Sequence, residues 1–308
     1  MDRTDQEVIC NVMISYYSVL LAMKHVEVAQ QALQTAEAVV ESSKHRYESG
    51  IVVEPDYLSS QVRLGMRKQE FITAQNELEL ARAELSTSIG MPIETRLEPA
   101  DALAVKSLPG ISLEDAENTA VKKRPDLSSI RSDETAQQLS TSIAKSSFGP
   151  RLDAFGDWET DNPTFLAGGG GKGWLAGIEL QFDLFQGGAK RAQLAREKAR
   201  EGKIAAAREM ATDAVRLEAR RAYYEVETAQ QHIEVARASI AEAQKSLQIN
   251  QNRYDAGLST IADLLAAEEA ARRSQTDYWD AVCQYLAGYA NLELARGTLS
   301  PQSPVVSP

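Results

Sequence analysis

Few residues in this chain have the chemistry of a catalytic or metal site, and they lie far apart. The two cysteines, Cys10 and Cys283, show no CxxC or Cys/His spacing that would bind a metal. The three histidines, His25, His45 and His232, each stand alone on a polar helical stretch, which is typical of solvated surface histidines. No Ser-His-Asp set and no Walker loop for phosphate binding occurs. We therefore predict no catalytic residue, no metal and no cofactor.

The composition excludes several broad classes of protein. With 43% hydrophobic and 25% charged residues, the chain is neither disordered nor a helical membrane protein. A net charge of -11 argues against a partner nucleic acid, because a binder needs a basic face. Aromatic residues make up only 6%, while Ala, Glu, Gln, Leu and Arg are common. This balance predicts long helices that pack closely through small side chains.

The chain contains an internal repeat. At an offset of 207 residues, two segments of about 80 residues match without a gap. The matching pairs include Tyr16/Tyr223, Tyr17/Tyr224, Arg46/Arg253, Tyr47/Tyr254, Gly50/Gly257, Asp56/Asp263, Leu58/Leu265, Leu85/Leu292 and Gly90/Gly297. The repeat predicts two copies of one unit in a pseudo-symmetric structure.

Each copy carries heptads of small and apolar residues, which break at a glycine. The 3.5-residue period predicts coiled-coil seams, and the many alanines predict close helix axes. Gly50 and Gly257 stand where a helix C-cap glycine belongs. Thr260 with Asp263 forms a capping box, and Pro55 suits a first helical turn. Each copy is therefore predicted to be an antiparallel helical hairpin, with heptads over 8–47, 57–88, 215–254 and 264–295.

Two segments with alternating polarity lie between the copies, at 151–159 and 174–185. Each has about 10–12 residues, the length that a tilted strand needs to cross a bilayer. Trp158 and Trp174 flank the loop end, as interface aromatics do, and residues 160–172 are predicted to form an external loop. A half-buried hairpin of a soluble protein would show the same alternation. The link to unusually long helices favours the membrane.

Several short motifs occur in a fixed order along the chain. Arg-Tyr-x-x-Gly precedes an Asp-containing helix start at 46–56 and again at 253–263. Arg124-Pro125-Asp126-Leu127 precedes the strands, and Phe185-Gln186-Gly187-Gly188 with Lys190-Arg191 follows them. The ordered set of motifs resembles that of the outer membrane factor family, of which TolC is the type member. The resemblance covers nearly the whole chain.

The resemblance implies a homotrimer in the outer membrane of a Gram-negative bacterium, with its helical part in the periplasm. It implies the channel of a tripartite efflux or type I secretion system. Its partners would be a periplasmic adaptor protein, an inner-membrane pump and outer membrane lipid. The predicted fold is mainly α with a β-hairpin: long antiparallel coiled-coil helical hairpins in two repeats, plus transmembrane β-strands that contribute to a trimeric α/β barrel.

The predicted division has six parts. They are 1–91, a first helical-hairpin repeat; 92–125, an equatorial linker with a short helix; 126–147, a helix leading to the barrel; 148–187, a transmembrane β-hairpin; 188–297, a second helical-hairpin repeat; and 298–308, a disordered tail. The β-hairpin of the first repeat would lie before Met1. We therefore expect either a fragment or a true start further upstream.

The resemblance also implies site residues. An aspartate after the second turn joins a ring that narrows the tunnel mouth and binds cations, and Asp263 matches it. Asp56 is its repeat partner, and Tyr254 matches a tyrosine of the mouth network. Other roles for the same residues are helix capping for Asp263 and packing for Tyr254. Ala266 and Ser259 stand where the type member has a second aspartate and an arginine, so the constriction is weaker here or built differently.

Two further sets of residues have roles in such a channel. Turn residues that would contact the adaptor are Gly50, Ile51, Val52, Gly257, Leu258 and Ser259. Residues that would line the barrel lumen are Glu179, Gln181 and Asp183.

Two other functions stay open. A soluble coiled-coil scaffold or a periplasmic adaptor would explain the heptads and hairpins, but not the alternating strands. An enzyme that uses one of the carboxylates would need a clustered acid, base or nucleophile, which the sequence does not show.

Overall fold

The computed structural model of the protein describes residues 2–106, 108–161 and 171–304. In chain order its elements are α1 Arg3–Glu48, α2 Glu54–Ser88, α3 Leu113–Lys123, α4 Pro125–Ser146, β1 Arg151–Asp161, β2 Gly171–Gln181, α5 Ala189–Asp255 and α6 Ile261–Arg296. They belong to two compact units, one formed by 1–125 with 214–308 and the other by 126–213. A mainly helical chain with a small antiparallel hairpin confirms the coarse fold class predicted from the sequence.

In the first unit the helices pair as two hairpins, as the heptads predict. Val19 and Ala22 of α1 pack with Leu85 of α2 in one buried cluster. In the second hairpin, a Cβ built on Gly288 of α6 would lie 3.5 Å from Val226 Cγ2 of α5. Small residues at the contact let the helix axes approach closely.

α1 also packs against α6, along a stripe that the heptad did not predict. The buried cluster of this contact contains Cys10, Met13, Tyr17, Leu20, Ala281, Val282, Tyr285, Leu286, Tyr289 and Ala290. Further along, Arg67 of α2 pairs with Glu269 of α6 across an offset of 202 positions. That offset is close to the 207 residues between the copies, so matching parts of the copies lie at similar levels.

Among the described helices, α1 alone is long and apolar enough, by length and composition, to cross a membrane. Its apolar side chains contact α2 on one side and α6 on the other. This packing is how the core helix of a folded unit behaves.

Ion pairs fix the linker between the copies to the second hairpin. Ser112 Oγ accepts a hydrogen bond from the amide of Asp115 at 3.1 Å and so caps the start of α3. The Asp115 carboxylate accepts from Arg296 of α6 at 2.6 Å. Arg124, the buried arginine of the Arg-Pro-Asp-Leu motif, donates to Glu218 of α5. The motif therefore has a structural role in this unit.

In the second unit, β1 and β2 pair antiparallel in a register that makes one face entirely of apolar residues and glycine between Leu152 and Trp158. The face contains the pairs Leu152–Leu180, Ala154–Ile178, Gly156–Ala176 and Trp158–Trp174. On the other face Arg151 pairs with Gln181 and Asp153 with Glu179. The predicted loop at 160–172 falls mainly on residues 162–170, which lie outside the described ranges.

Phe155 fills the space that a glycine leaves on the polar face. It pairs with Gly177, and a Cβ built on that glycine would lie only 2.7 Å from the Phe155 ring. A larger residue at this position would displace the ring, which explains why glycine suits the middle of β2.

Candidate functional site

The two helical turns have the same backbone geometry. Gly50 and Gly257 each adopt a φ of +72°, a left-handed conformation that favours glycine. After Gly50, the Ile51 amide donates to the Arg46 carbonyl at 2.8 Å. After Gly257, the Leu258 amide donates to the Arg253 carbonyl at 2.8 Å. Both bonds belong to a Schellman motif, so the repeat predicted the C-caps correctly.

The turns present apolar side chains to the solvent. Ile51 is 65% exposed and Leu258 is 70% exposed. The glycines beside them are exposed as well, while Val52 and Ser259 are half-buried. Exposed Ile and Leu at two matching tips form a surface that suits a partner protein.

Asp263 is exposed and caps the start of α6. Its Oδ2 accepts from the Thr260 amide at 3.1 Å, the Thr260 hydroxyl at 2.8 Å and the Ser259 hydroxyl at 3.0 Å. These hydrogen bonds, above all those from Thr260, hold the pKa of Asp263 below its usual range. The carboxylate is therefore ionised at neutral pH, and the predicted capping box is confirmed.

Asp56 occupies the matching place in copy one but caps nothing. Val53 is the N-cap residue of α2, and an apolar side chain cannot accept a hydrogen bond there. The Asp56 amide donates to the Val53 carbonyl at 3.0 Å, and its side chain is half-buried. The two aspartates are equivalent in sequence but not in local structure.

Tyr254 lies between helices and is 3% exposed. It packs with Val39 and Leu264, and its hydroxyl lies 3.4 Å from Ser43 Oγ. The guanidinium of Arg46 stacks over its ring at 4.6 Å. Tyr254 therefore packs between helices, which is the alternative role that its heptad position predicted.

Arg46 is a residue of this region that the sequence did not single out beyond its motif. Besides its contact with Tyr254, it reaches Asp255 at 3.7 Å. Its repeat partner Arg253 instead donates to the carbonyl of Leu258 in its own turn at 3.4 Å. Arg46 thus joins the end of α1 to the end of α5.

A second missed group is a cluster of charges between α2 and α6. Arg67 is buried and donates to Glu70 at 2.6 Å and to Glu269. Arg272 donates to Glu269 at 2.6 Å. The hydrogen bond from Arg272, followed by that from Arg67, lowers the pKa of Glu269 to about 2. An arginine at a heptad position was the signal that could have revealed this cluster.

The polar face of the hairpin carries two of the three predicted lumen residues. Glu179 and Gln181 lie on it and are exposed. Asp183 does not, because β2 ends at Gln181; the prediction that the strand runs to residue 185 is wrong. Asp183 Oδ2 instead lies 3.3 Å from Lys190 Nζ and accepts from Gln186 Nε2 at 2.9 Å. The strand ends because its partner β1 begins at Arg151, which pairs with Gln181, even though the alternation of residue types continues.

The residues that could form a catalytic or metal site do not cluster in the described structure either. Within 2–106, 108–161 and 171–304, no three His, Cys, Asp or Glu residues are placed to hold a metal. Cys10 and Cys283 are free and buried, and burial raises the pKa of each thiol to about 11. His25 corrects the sequence interpretation, because its Nε2 lies 3.0 Å from Asp280 of α6 and its side chain is only 25% exposed.

One known protein family matches most of this chain. A family model described as "Outer membrane efflux protein" matches residues 1–91 and 117–298. The alkaline protease secretion protein AprF of Pseudomonas aeruginosa is 23% identical over 307 residues. That alignment covers 96% of this chain and 62% of AprF. The chain therefore spans less than two thirds of the length of this relative.

Solved structures share the fold. A membrane protein from Pseudomonas aeruginosa has a TM-score of 0.82 at 20% identity, covering 96% of this chain and 69% of that one. The CmeC outer membrane channel of Campylobacter jejuni has a TM-score of 0.79 at 18% identity, with coverages of 98% and 65%. The open MtrE outer membrane channel of Neisseria gonorrhoeae has a TM-score of 0.77 at 21% identity, with coverages of 97% and 69%.

Proposed function

This chain belongs to the outer membrane efflux protein family, and from this premise we propose that it is the outer membrane channel component of a tripartite efflux or type I secretion system. Its family places it in the outer membrane of a Gram-negative bacterium. The channel acts as a passive export duct that receives cargo from an inner-membrane pump through a periplasmic adaptor. AprF is named for the secretion of alkaline protease, and CmeC and MtrE for outer membrane channels, which supports an export role.

The observation that carries this proposal is the apolar face of the β1–β2 hairpin. Ile178 and Leu180 are 75% and 67% exposed, and Trp158 and Trp174 are exposed beside them. Covering one such aliphatic side chain stabilises a protein by about 1.5–3 kcal/mol, so an uncovered row is unfavourable in water. Each strand has 11 residues, which suits a tilted crossing of the hydrocarbon layer. Lipid is the covering that fits this face, with residues 148–187 as the transmembrane segment.

The same hairpin supports assembly with other copies. A lone two-stranded sheet leaves the outer edges of both strands unpaired, and unpaired backbone groups are costly in lipid. Closure of a shared barrel pairs these edges, and the homotrimer is the assembly that we propose. In this trimeric α/β barrel, Glu179 and Gln181 face the lumen. The helical repeats 1–91 and 188–297 form the periplasmic tunnel.

The helical turns form the periplasmic mouth in this proposal. Asp263, ionised and exposed, lines the mouth in each protomer, so that three carboxylates attract cations and repel anions. Asp56 and Tyr254 complete the gate region. The tips that contact the adaptor are Gly50, Ile51, Val52, Gly257, Leu258 and Ser259. No reaction, cofactor, metal or nucleic acid has a part in this function.

Cysteine labelling of neighbouring positions on β2 tests the membrane crossing. Ile178→Cys and Glu179→Cys place a thiol on opposite faces of the same strand. Both native cysteines are buried with raised pKa values, so their background reaction is small. In outer membranes, a membrane-impermeant maleimide should label residue 179 and leave residue 178 unlabelled.

A soluble scaffold or adaptor gives a different pattern. Residues 178 and 179 are both exposed on the chain, so both thiols would react at similar rates in water. The same two variants after solubilisation and unfolding provide the control for complete labelling. Equal labelling in intact membranes would overturn the proposal.

A further inference from the structure

An exposed apolar surface lies at the end of the hairpin where the helices begin. Phe182, Leu184 and Phe185, which follow β2, are 53%, 86% and 88% exposed. Phe148, which precedes β1, is 42% exposed. We name these four residues the basal apolar patch. They line a single open cleft of about 310 Å³.

Two cations line the same cleft, and one of them is unpaired. Lys190 Nζ lies 3.3 Å from Asp183 Oδ2, and the Asp183 carboxylate also accepts from Gln186, so these charges compensate each other. Arg191 is exposed, and its guanidinium makes no ion pair or hydrogen bond with any residue of the described ranges. A free guanidinium beside exposed aromatic rings suits a ligand with an anionic head and apolar chains.

The charge around the hairpin base is opposite to that of the whole chain. Residues 145–153 and 181–191 carry four cations against two carboxylates, a net charge of +2, whereas the chain carries -11. In sequence, Phe182 and Leu184 extend the alternation of Ile178 and Leu180, although β2 itself ends at Gln181. Cationic and apolar side chains therefore meet at one place on this surface.

We propose that the basal apolar patch and Arg191 bind an anionic glycerophospholipid. The acyl chains lie along the four apolar side chains, and the headgroup phosphate pairs with the Arg191 guanidinium. This inference rests on the proposed membrane crossing, because the crossing places the patch at the boundary between lipid and water. Interfacial aromatics and basic residues hold a strand hairpin at this boundary.

Native mass spectrometry of the purified full-length protein in detergent tests the site. Phosphatidylglycerol and phosphatidylcholine with identical acyl chains are added in turn, and the bound lipid is counted. The wild type should retain phosphatidylglycerol preferentially. Arg191→Gln should lower that retention roughly fivefold, the effect of one surface cation, and Arg191→Lys should keep most of it.

One further variant is a control for charge outside the site, and another tests the contact with the acyl chains. Lys198→Gln removes an exposed cation from the same helix about 10 Å away and should change nothing. Leu184→Asn should reduce the retention of both lipids alike, because it acts on the acyl chains. Equal retention of the two lipids by the wild type would overturn the inference, as would an equal loss in Lys198→Gln.

The labelling of residues 178 and 179 distinguishes failure of the site from failure of the channel. If residue 178 is protected and the wild type shows no preference for phosphatidylglycerol, the lipid site is wrong and the channel stands. If both residues are labelled in membranes, the proposed membrane crossing is wrong, and so is the lipid site that depends on it.

Discussion

Replacing Arg67 by alanine should loosen α2 from α6. Arg67 lies at a heptad position, and its side chain is only 3% exposed. Its guanidinium donates to Glu70 of its own helix at 2.6 Å and to Glu269 of α6. The two acceptor carboxylates are 39% and 37% exposed, so water screens these pairs and replaces part of what the substitution removes.

The free energy of unfolding should fall by about 2–3 kcal/mol. A buried charge-assisted hydrogen bond contributes about 1.5–3 kcal/mol, and screening reduces each of these two to about 1 kcal/mol. Loss of the packed aliphatic stem adds about 1 kcal/mol. Arg67→Met keeps most of the stem, so it should cost about 1 kcal/mol less than Arg67→Ala.

Thermal unfolding, followed by the circular dichroism of the helices, measures this loss. A change of about 2–3 kcal/mol corresponds to a decrease in Tm of roughly 3–5 °C for a chain of this size. Lys68→Ala removes an exposed neighbour of the same helix and should stay within about 0.5 kcal/mol of the wild type. If Arg67→Ala unfolds like Lys68→Ala, the charge cluster does not hold the two helices together.

Acid should remove the same stabilisation. The pKa of Glu269 is lowered from 4.5 to about 2 by Arg272 and then Arg67. A carboxylate whose folded pKa is depressed stabilises the fold above its unfolded pKa, and this stabilisation is lost as the pH falls towards the folded value. The difference between wild type and Arg67→Ala should therefore shrink between about pH 4.5 and pH 2. A difference that stays constant over this range would contradict the assignment.

Three further outcomes follow from the helix ends. Thr260→Ala should cost about 1 kcal/mol in unfolding and bring the pKa of Asp263 back up towards its ordinary value, which an NMR titration would detect. Gly257→Ala and Gly297→Ala both force alanine to a positive φ, but only at Gly297 does the new Cβ lie 3.1 Å from neighbouring backbone. The first should cost about 1–2 kcal/mol and the second at least about 1 kcal/mol more, measured by thermal unfolding. Leu258→Asp should change unfolding by less than about 0.5 kcal/mol and abolish cross-linking of the turn to the adaptor in cells.

The sequence predicted the elements that local rules control. A positive φ at Gly50 and Gly257 and the capping box of Thr260 depend on neighbouring residues alone, and the structure shows all three. The hairpins follow from the heptads in the same way. The contact of α1 with α6 was not predicted. A heptad pattern marks one contact face of a helix, whereas α1 contacts two helices.

The candidate site was predictable only in part, because partners distant in the chain decide the rest. The alternation of residue types around Asp183 continues past β2, but the strand ends at Gln181 because its partner β1 begins at Arg151, 30 residues earlier in the chain. Arg67 is a charged residue at a heptad position that is usually apolar. Its counter-charge, Glu269, lies about 200 residues away in the chain. The arginine at a heptad position signals a buried charge, but the neighbouring sequence does not identify its partner.

Single-channel recording tests the central claim most directly. The purified full-length protein, added to a planar lipid bilayer, should produce discrete current steps that favour cations. Asp263→Asn should reduce the preference for cations while the steps persist, because it removes one carboxylate per protomer from the proposed mouth. A protein that inserts, as judged by protection of residue 178 from the maleimide, but carries no current would contradict the assignment of an export duct.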